Sequence, residues 1–115
     1  MSGMTLEINE FKDGAVFHMG GRVMFETDSS TFQQKLSEML DHDKKWVVID
    51  LSQVVAMSST GLGILIAAHR TITEKNCSFK LAKLSEKVRS IIQITRLDTI
   101  FEIFESVDDA MAESD

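Results

Sequence analysis

Proline is absent from the 115-residue sequence, and cysteine occurs only once, as Cys77. Proline-rich or low-complexity stretches are typical of linkers, so their absence, together with the lack of any internal repeat, favours one domain spanning residues 1–115. A lone cysteine cannot form an intrachain disulfide, which agrees with a reducing compartment. The sequence therefore predicts a single small domain without disulfide support.

Long hydrophobic runs are also missing. No stretch approaches the roughly 20 apolar residues that cross a bilayer, and residues 1–10 lack the basic start and apolar core of a signal peptide. Basic residues number 12 against 18 acidic ones, giving a formal net charge of −6. Because an acidic surface repels nucleic acid and anionic lipid, we expect a cytoplasmic protein that inserts into no membrane. Its partner should be a protein with a basic face.

Motifs for metals, nucleotides and catalysis are lacking as well. His18, His42 and His69 are not spaced from one another, or from Cys77, as metal ligands on one helix face would be. No GxxxxGK[ST] loop occurs, and Ser59 lacks the G-x-S-x-G frame of a hydrolase nucleophile. The sequence therefore predicts no metal site, no cofactor and no enzymatic activity. His69 is expected to pack at the edge of the core.

The first elements should form a hairpin. Apolar and polar residues alternate from Met4 to Glu10, as in a half-buried strand. Asp13-Gly14 predicts the turn, since this pair readily takes positive φ angles, and Ala15–Met19 predicts the second strand. Gly20 and Gly21 are expected to end that strand.

A helix and a buried strand should follow the hairpin. Ser30 and Gln33 have the spacing of a capping box, and the apolar face of the helix covers about 31–40. Consecutive apolar residues at Trp46–Ile49 indicate a central strand that is covered on both faces. An apolar stripe beginning at Leu62 predicts a second helix that runs to about Asn76.

The C-terminal third predicts four shorter elements: a strand over 79–84, a helix over 88–95, a strand over 100–104 and a helix opened by Ser106. Strand, helix and strand in succession form a crossover, so the two strands that flank the second helix should be parallel. The expected fold is α/β, in the order ββαβαβαβα. It has a mixed, mostly parallel central sheet of about five strands and about four helices packed largely on one side.

The segment Val54–Gly63 joins the buried strand to the second helix and combines hydroxyl groups with small residues. The local pattern predicts that Ser58 or Ser59 caps the helix through its side-chain oxygen. A phosphate on Thr60 would lie beside unpaired backbone N–H groups at the positive end of the helix dipole. Its charge of about −1.5 to −2 would act chiefly on a partner surface. The two interpretations are compatible.

Four segments carry a family resemblance, which spans nearly the whole chain. They are Gly21-Arg22-Val23, Val48-Ile49-Asp50-Leu51-Ser52 with Val54 and Met57, Ser59-Thr60-Gly61-Leu62-Gly63, and Ile103-Phe104-Glu105-Ser106 with Ala110. Together they resemble the STAS domain of bacterial anti-anti-sigma factors, also called anti-sigma factor antagonists. The S-[ST]-G-L-G pattern after a strand is the most specific part.

The resemblance implies a phosphorylation switch. In that family the hydroxyl residue directly before Gly-Leu is phosphorylated by a partner anti-sigma factor that is itself a serine/threonine kinase, which implies Thr60 here, with Ser59 as the fallback. The unphosphorylated form binds the anti-sigma factor and frees a sigma factor, and a PP2C-type phosphatase restores that form. The implied partner-binding residues are Gly21, Arg22, Met24, Met57, Ser58, Ser59, Thr60, Gly61 and Leu62.

Two other functions fit the same pattern. Ser58 and Met24 stand where the family often has acidic residues, which favours a constitutive scaffold subunit of a stressosome or lipid-transport assembly. Alternatively, the amides at the start of the second helix could bind the anionic group of a small molecule or nucleotide. Replacement of Thr60 by Asp separates a switch from a scaffold, and calorimetry with nucleotides tests the third function.

Overall fold

The computed structural model describes residues 3–114. Within them the chain forms β1 (Met4–Glu10), β2 (Gly14–Val23), α1 (Glu26–Asp41), β3 (Trp46–Met57), α2 (Ser59–Glu74), β4 (Ser78–Ala82), α3 (Glu86–Ile94), β5 (Glu102–Phe104) and α4 (Val107–Ala112), with a 3-10 turn at Leu97–Thr99. The predicted order ββαβαβαβα is confirmed.

The strands form one sheet in the order β1-β2-β3-β4-β5. β1 is antiparallel to β2, whereas the β2–β3, β3–β4 and β4–β5 pairs are all parallel. The prediction of a mixed, mostly parallel sheet is therefore confirmed. The parallel pairing of β3 with β4 around α2 also confirms the predicted crossover.

The two faces of the sheet are covered unequally. The main hydrophobic cluster joins residues of α1, α2 and α3, such as Phe32, Leu65 and Ile92, to the sheet. A smaller cluster joins Val16 and the even-numbered residues at the start of β3 to Ala110 of α4 on the other face. The helices thus pack largely on one side, and β3 is buried on both faces, as predicted.

The β1–β2 connection differs from the predicted Asp-Gly turn. Neither Asp13 nor Gly14 has a positive φ, and Gly14 is already the first residue of β2. The Phe11 N–H donates to the Gly14 carbonyl oxygen at 2.7 Å and closes a longer loop. Gly14 is needed for space, because a Cβ there would lie 2.0 Å from the Trp46 ring.

Gly20 and Gly21 do not end β2, which continues to Val23. They lie beside two shifts in the register between β2 and β3. Gly21 has φ of +77°, and a Cβ there would lie 2.6 Å from the Gly3 carbonyl oxygen. The glycines therefore allow an irregularity within β2. Beyond it the strand continues, so that its last residue, Val23, pairs with Met57 at the end of β3.

Helix α1 begins at Glu26, well before the predicted capping box of Ser30 and Gln33, and both of those residues lie inside the helix. The prediction was wrong because Asp28 satisfies the helix start instead. Its carboxylate accepts the Phe25 N–H at 3.2 Å. The remaining boundaries differ less: β4 ends at Ala82, before Leu84, and β5 begins at Glu102, after the 3-10 turn.

Candidate functional site

Strand β3 leads almost directly into helix α2. Most of the segment Val54–Gly63, which was expected to join the strand to the helix, belongs to those two elements, because Val54–Met57 remains in β3 and pairs with the last residues of β2. Val54 pairs with Gly21, and Met57 pairs with Val23. Ser58 alone separates the strand from the helix, so the start of α2 is fixed by the sheet.

Ser58 is the N-cap of α2, which confirms one of the two predicted capping residues. Its hydroxyl oxygen accepts the Gly61 N–H at 3.4 Å and its hydroxyl donates to the Met24 carbonyl oxygen at 3.4 Å. Its backbone N–H donates to the Val23 carbonyl oxygen at 3.3 Å. Ser58 therefore joins the helix start to the end of β2.

Three of the residues implied as partner-binding lie inward. Met57 and Leu62 are only 7% and 9% exposed and belong to the main hydrophobic cluster. A Cβ on Gly61 would lie 2.2 Å from the Val23 carbonyl oxygen, so helix and strand backbones nearly touch there. These residues therefore pack in the interior beneath the start of α2, and their side chains are not available to a partner.

The two residues after Ser58 face outward. Ser59, the first residue of α2, is exposed, and Thr60, the second, is partly exposed. The first turn of α2 contains no acidic residue, whereas the first turns of α1, α3 and α4 each contain at least one. The first turn of α2 therefore supplies no negative side chain to compensate the positive end of the helix dipole.

The end of β2 and the turn after it lie beside this helix start. Arg22 is exposed and Met24 is partly exposed, and Phe25, which the sequence did not predict as a site residue, is 51% exposed. The only signal for Phe25 in the sequence was its position, because Met24 and Phe25 form an apolar pair directly before α1. We call the exposed and partly exposed residues near this junction the docking surface, because a partner is proposed below to bind there; they are Arg22, Met24, Phe25, Ser59 and Thr60.

A second polar feature lies on the other face of the sheet. Glu7, His18 and Asp50 occupy paired positions in β1, β2 and β3, and His18 Nδ1 is 2.7 Å from Asp50 Oδ2. These residues line a cavity of about 520 Å³ together with Lys83 and others. The sequence did not predict this pair because its two members are 32 residues apart.

The pKa of Asp50 reflects opposing influences. Burial by itself raises the pKa of this carboxyl, but the Ser52 backbone N–H and the His18 ring outweigh it and hold the pKa below its ordinary value. The Ser52 N–H donates to Oδ1 at 2.9 Å. An ionised carboxylate accepts hydrogen bonds only, so His18 donates from Nδ1.

Residues 3–114 contain no group of three or more His, Cys, Asp or Glu side chains placed to hold a metal ion. Over the same residues, no helix combines the length and apolar character that crossing a membrane requires. His69 packs edge-on against Phe79 and Phe101, with centroid distances of 6.0 and 5.7 Å. This confirms its prediction as a packed histidine at the edge of the core.

These observations define an α/β domain in which helix α2 begins with the hydroxyl residues Ser59 and Thr60, beside the end of strand β2. Residues 5–110 match the model of the STAS domain family. The chain belongs to that family.

Similar proteins agree with this assignment. The chain is 33% identical over 98 residues to an anti-sigma-B factor antagonist of Listeria monocytogenes, covering 82% of this chain and 85% of that protein. A crystal structure of an anti-sigma factor antagonist from Mycobacterium paratuberculosis has the same fold, with a TM-score of 0.80 at 23% identity, covering 96% and 93% of the chains. The phosphorylated form of the Bacillus protein SpoIIAA also has this fold, with a TM-score of 0.74 at 14% identity, covering 95% and 98%.

Proposed function

We propose that this chain is a cytoplasmic anti-sigma factor antagonist that acts as a phosphorylation-controlled binding protein and not as an enzyme. In its unphosphorylated form it binds an anti-sigma factor that is a serine/threonine kinase, and so frees a sigma factor. A PP2C-type phosphatase regenerates this form. The relative named as an anti-sigma-B factor antagonist supports the proposal, because its 33% identity extends over most of both chains.

The observation that carries the proposal is the different environment of three adjacent hydroxyls. Ser58 is engaged on both sides, by the Gly61 N–H and the Met24 carbonyl oxygen. Ser59 and Thr60 follow it on the outer side of the helix start. A kinase can reach these two without opening the joint between β2 and α2. Thr60, directly before Gly61-Leu62, is the proposed acceptor and Ser59 the fallback.

The fold should tolerate a phosphate at this position. The α2 first turn has no acidic residue to repel it, and negative charge near a helix N-terminus is favourable by about 0.3–1 kcal/mol. For the binding of a partner, in contrast, we expect the phosphate to be unfavourable. The docking surface includes the exposed apolar side chain of Phe25, and a phosphate beside an apolar contact has to be desolvated when the partner binds.

Phosphorylation itself is the first test. The protein is incubated with ATP and, one at a time, the anti-sigma factor kinases encoded in the source genome, and the modified residue is mapped by mass spectrometry. We expect phosphate on the peptide spanning residues 58–60, its loss in Thr60→Ala and its retention in Ser59→Ala.

Loss in Ser59→Ala alone would transfer the acceptor role to Ser59. A peptide that stays unmodified with every active kinase would contradict the proposed switch.

A further inference from the structure

Asp28 lies under the docking surface and is only 8% exposed. Its Oδ2 atom accepts the Met24 N–H at 3.3 Å and the Phe25 N–H at 3.2 Å. Its Oδ1 atom accepts the Met4 N–H at 3.4 Å. One buried carboxylate therefore satisfies backbone donors from two separate segments, the turn before α1 and the start of β1.

The Met24 backbone is held from both sides. Asp28 of α1 accepts its N–H, and the Ser58 hydroxyl at the start of α2 donates to its carbonyl oxygen. The docking surface is thereby tied together, because Met24 and Phe25 on one side and Ser59 and Thr60 on the other share this connection. Loss of the first hydrogen bond would free the Met24 N–H from α1, and loss of the second would free the Met24 carbonyl oxygen from the start of α2.

The N-terminal end of β1 reinforces the same arrangement. The Arg22 N–H donates to the Gly3 carbonyl oxygen at 3.3 Å, and a Cβ on Gly3 would lie 3.3 Å from Asp28 Oδ1. Asp28 is thus enclosed between the start of β1 and the turn. Its carboxylate has little room to move away from the backbone groups that it accepts.

We infer that Asp28 is a positioning residue for partner binding, which holds Met24 and Phe25 in the bound shape before the partner arrives. The inference rests on the proposed function, because it assigns the docking surface to the anti-sigma factor. A surface that is ordered in advance loses less conformational entropy on binding and so binds more tightly. Asp28 contributes to affinity in this way without touching the partner.

The test compares Asp28→Ala with Ser85→Ala. Ser85 is the N-cap of α3, where it accepts the Val88 N–H at 3.4 Å, so its removal also costs a helix cap, but outside the docking surface. Amide hydrogen exchange of Met24 and Phe25 is measured by NMR. Affinity is measured by calorimetry with the kinase identified in the phosphorylation experiment, at a temperature where circular dichroism shows each variant folded.

We expect Asp28→Ala to accelerate exchange of both amides and to weaken binding by about tenfold, because apparent affinity falls with the fraction of molecules in the binding-competent shape. Ser85→Ala should leave both quantities at the wild-type value. Asp28→Asn, which keeps one acceptor oxygen, should fall between wild type and Asp28→Ala, and it replaces the alanine variant if that variant does not fold.

Wild-type exchange rates in Asp28→Ala, or an affinity equal to that of Ser85→Ala, would overturn the inference. If the wild-type chain binds none of the kinases, the proposed function is wrong. The exchange measurement then decides by itself whether Asp28 holds the turn.

Discussion

Gly61 and Gly63 stand two residues apart in one helix, yet their surroundings differ. A Cβ on Gly61 would lie 2.2 Å from the Val23 carbonyl oxygen, which belongs to a strand backbone that cannot move aside easily. A Cβ on Gly63 would meet nothing within 4 Å. The same motif therefore contains one glycine that packing requires and one that it does not.

Alanine at these two positions should change stability in opposite directions. We expect Gly61→Ala to lower the free energy of unfolding by about 2 kcal/mol or more, as overpacking does. Gly63→Ala should raise it by about 0.5–1 kcal/mol, because alanine loses less entropy than glycine in a helix. Urea denaturation followed by fluorescence of the single tryptophan, Trp46, measures both. Equal effects at the two positions would contradict the close approach of α2 to β2.

At the scale of elements, the strands that bury one face regularly could be predicted from the sequence. Met4–Glu10 alternates, and β1 has those same bounds. The ends of β2, β3 and α1 could not be predicted, because they depend on partners distant in sequence. Gly20 and Gly21 continue β2 because residues of both β1 and β3 pair with them. Asp28 starts α1 early through hydrogen bonds that also engage the beginning of β1.

The contact of His18 in β2 with Asp50 in β3 should make the stability of the fold depend on pH. The pKa of Asp50 is lowered in the folded protein, because the Ser52 N–H and the His18 ring outweigh the effect of burial. A lowered carboxyl pKa stabilises the fold fully above the ordinary value of 3.8 and less as the pH falls through the folded-state value. We expect Asp50→Asn to flatten the loss of stability below about pH 4.

Urea denaturation at a series of pH values from neutral to acidic measures this effect. Asp13→Asn, which removes an exposed carboxylate from the β1–β2 loop, corrects for the general loss of negative charge. Parallel curves for wild type and Asp50→Asn would show that the pair between the strands does not contribute.

At the scale of the whole molecule, the order of elements, the mixed sheet and the unequal covering of its two faces could be predicted from hydrophobic patterning. The site could be predicted only in part. The motif indicated the helix start, but the sequence did not show that Met57, Gly61 and Leu62 lie inward. It also did not show that Phe25 lies outward or that Asp28 holds the turn, since both follow from packing between separate segments.

The central claim is that charge on Thr60 changes what binds to the docking surface while the fold stays intact. Its most direct test is a calorimetric titration of the anti-sigma factor kinase with unphosphorylated and Thr60-phosphorylated protein, with the unfolding of both forms measured alongside. The account predicts a loss of affinity of at least about tenfold on phosphorylation, or about 1.4 kcal/mol, with stability unchanged or slightly raised. Equal affinity of the two forms would contradict it and would instead favour a constitutive scaffold.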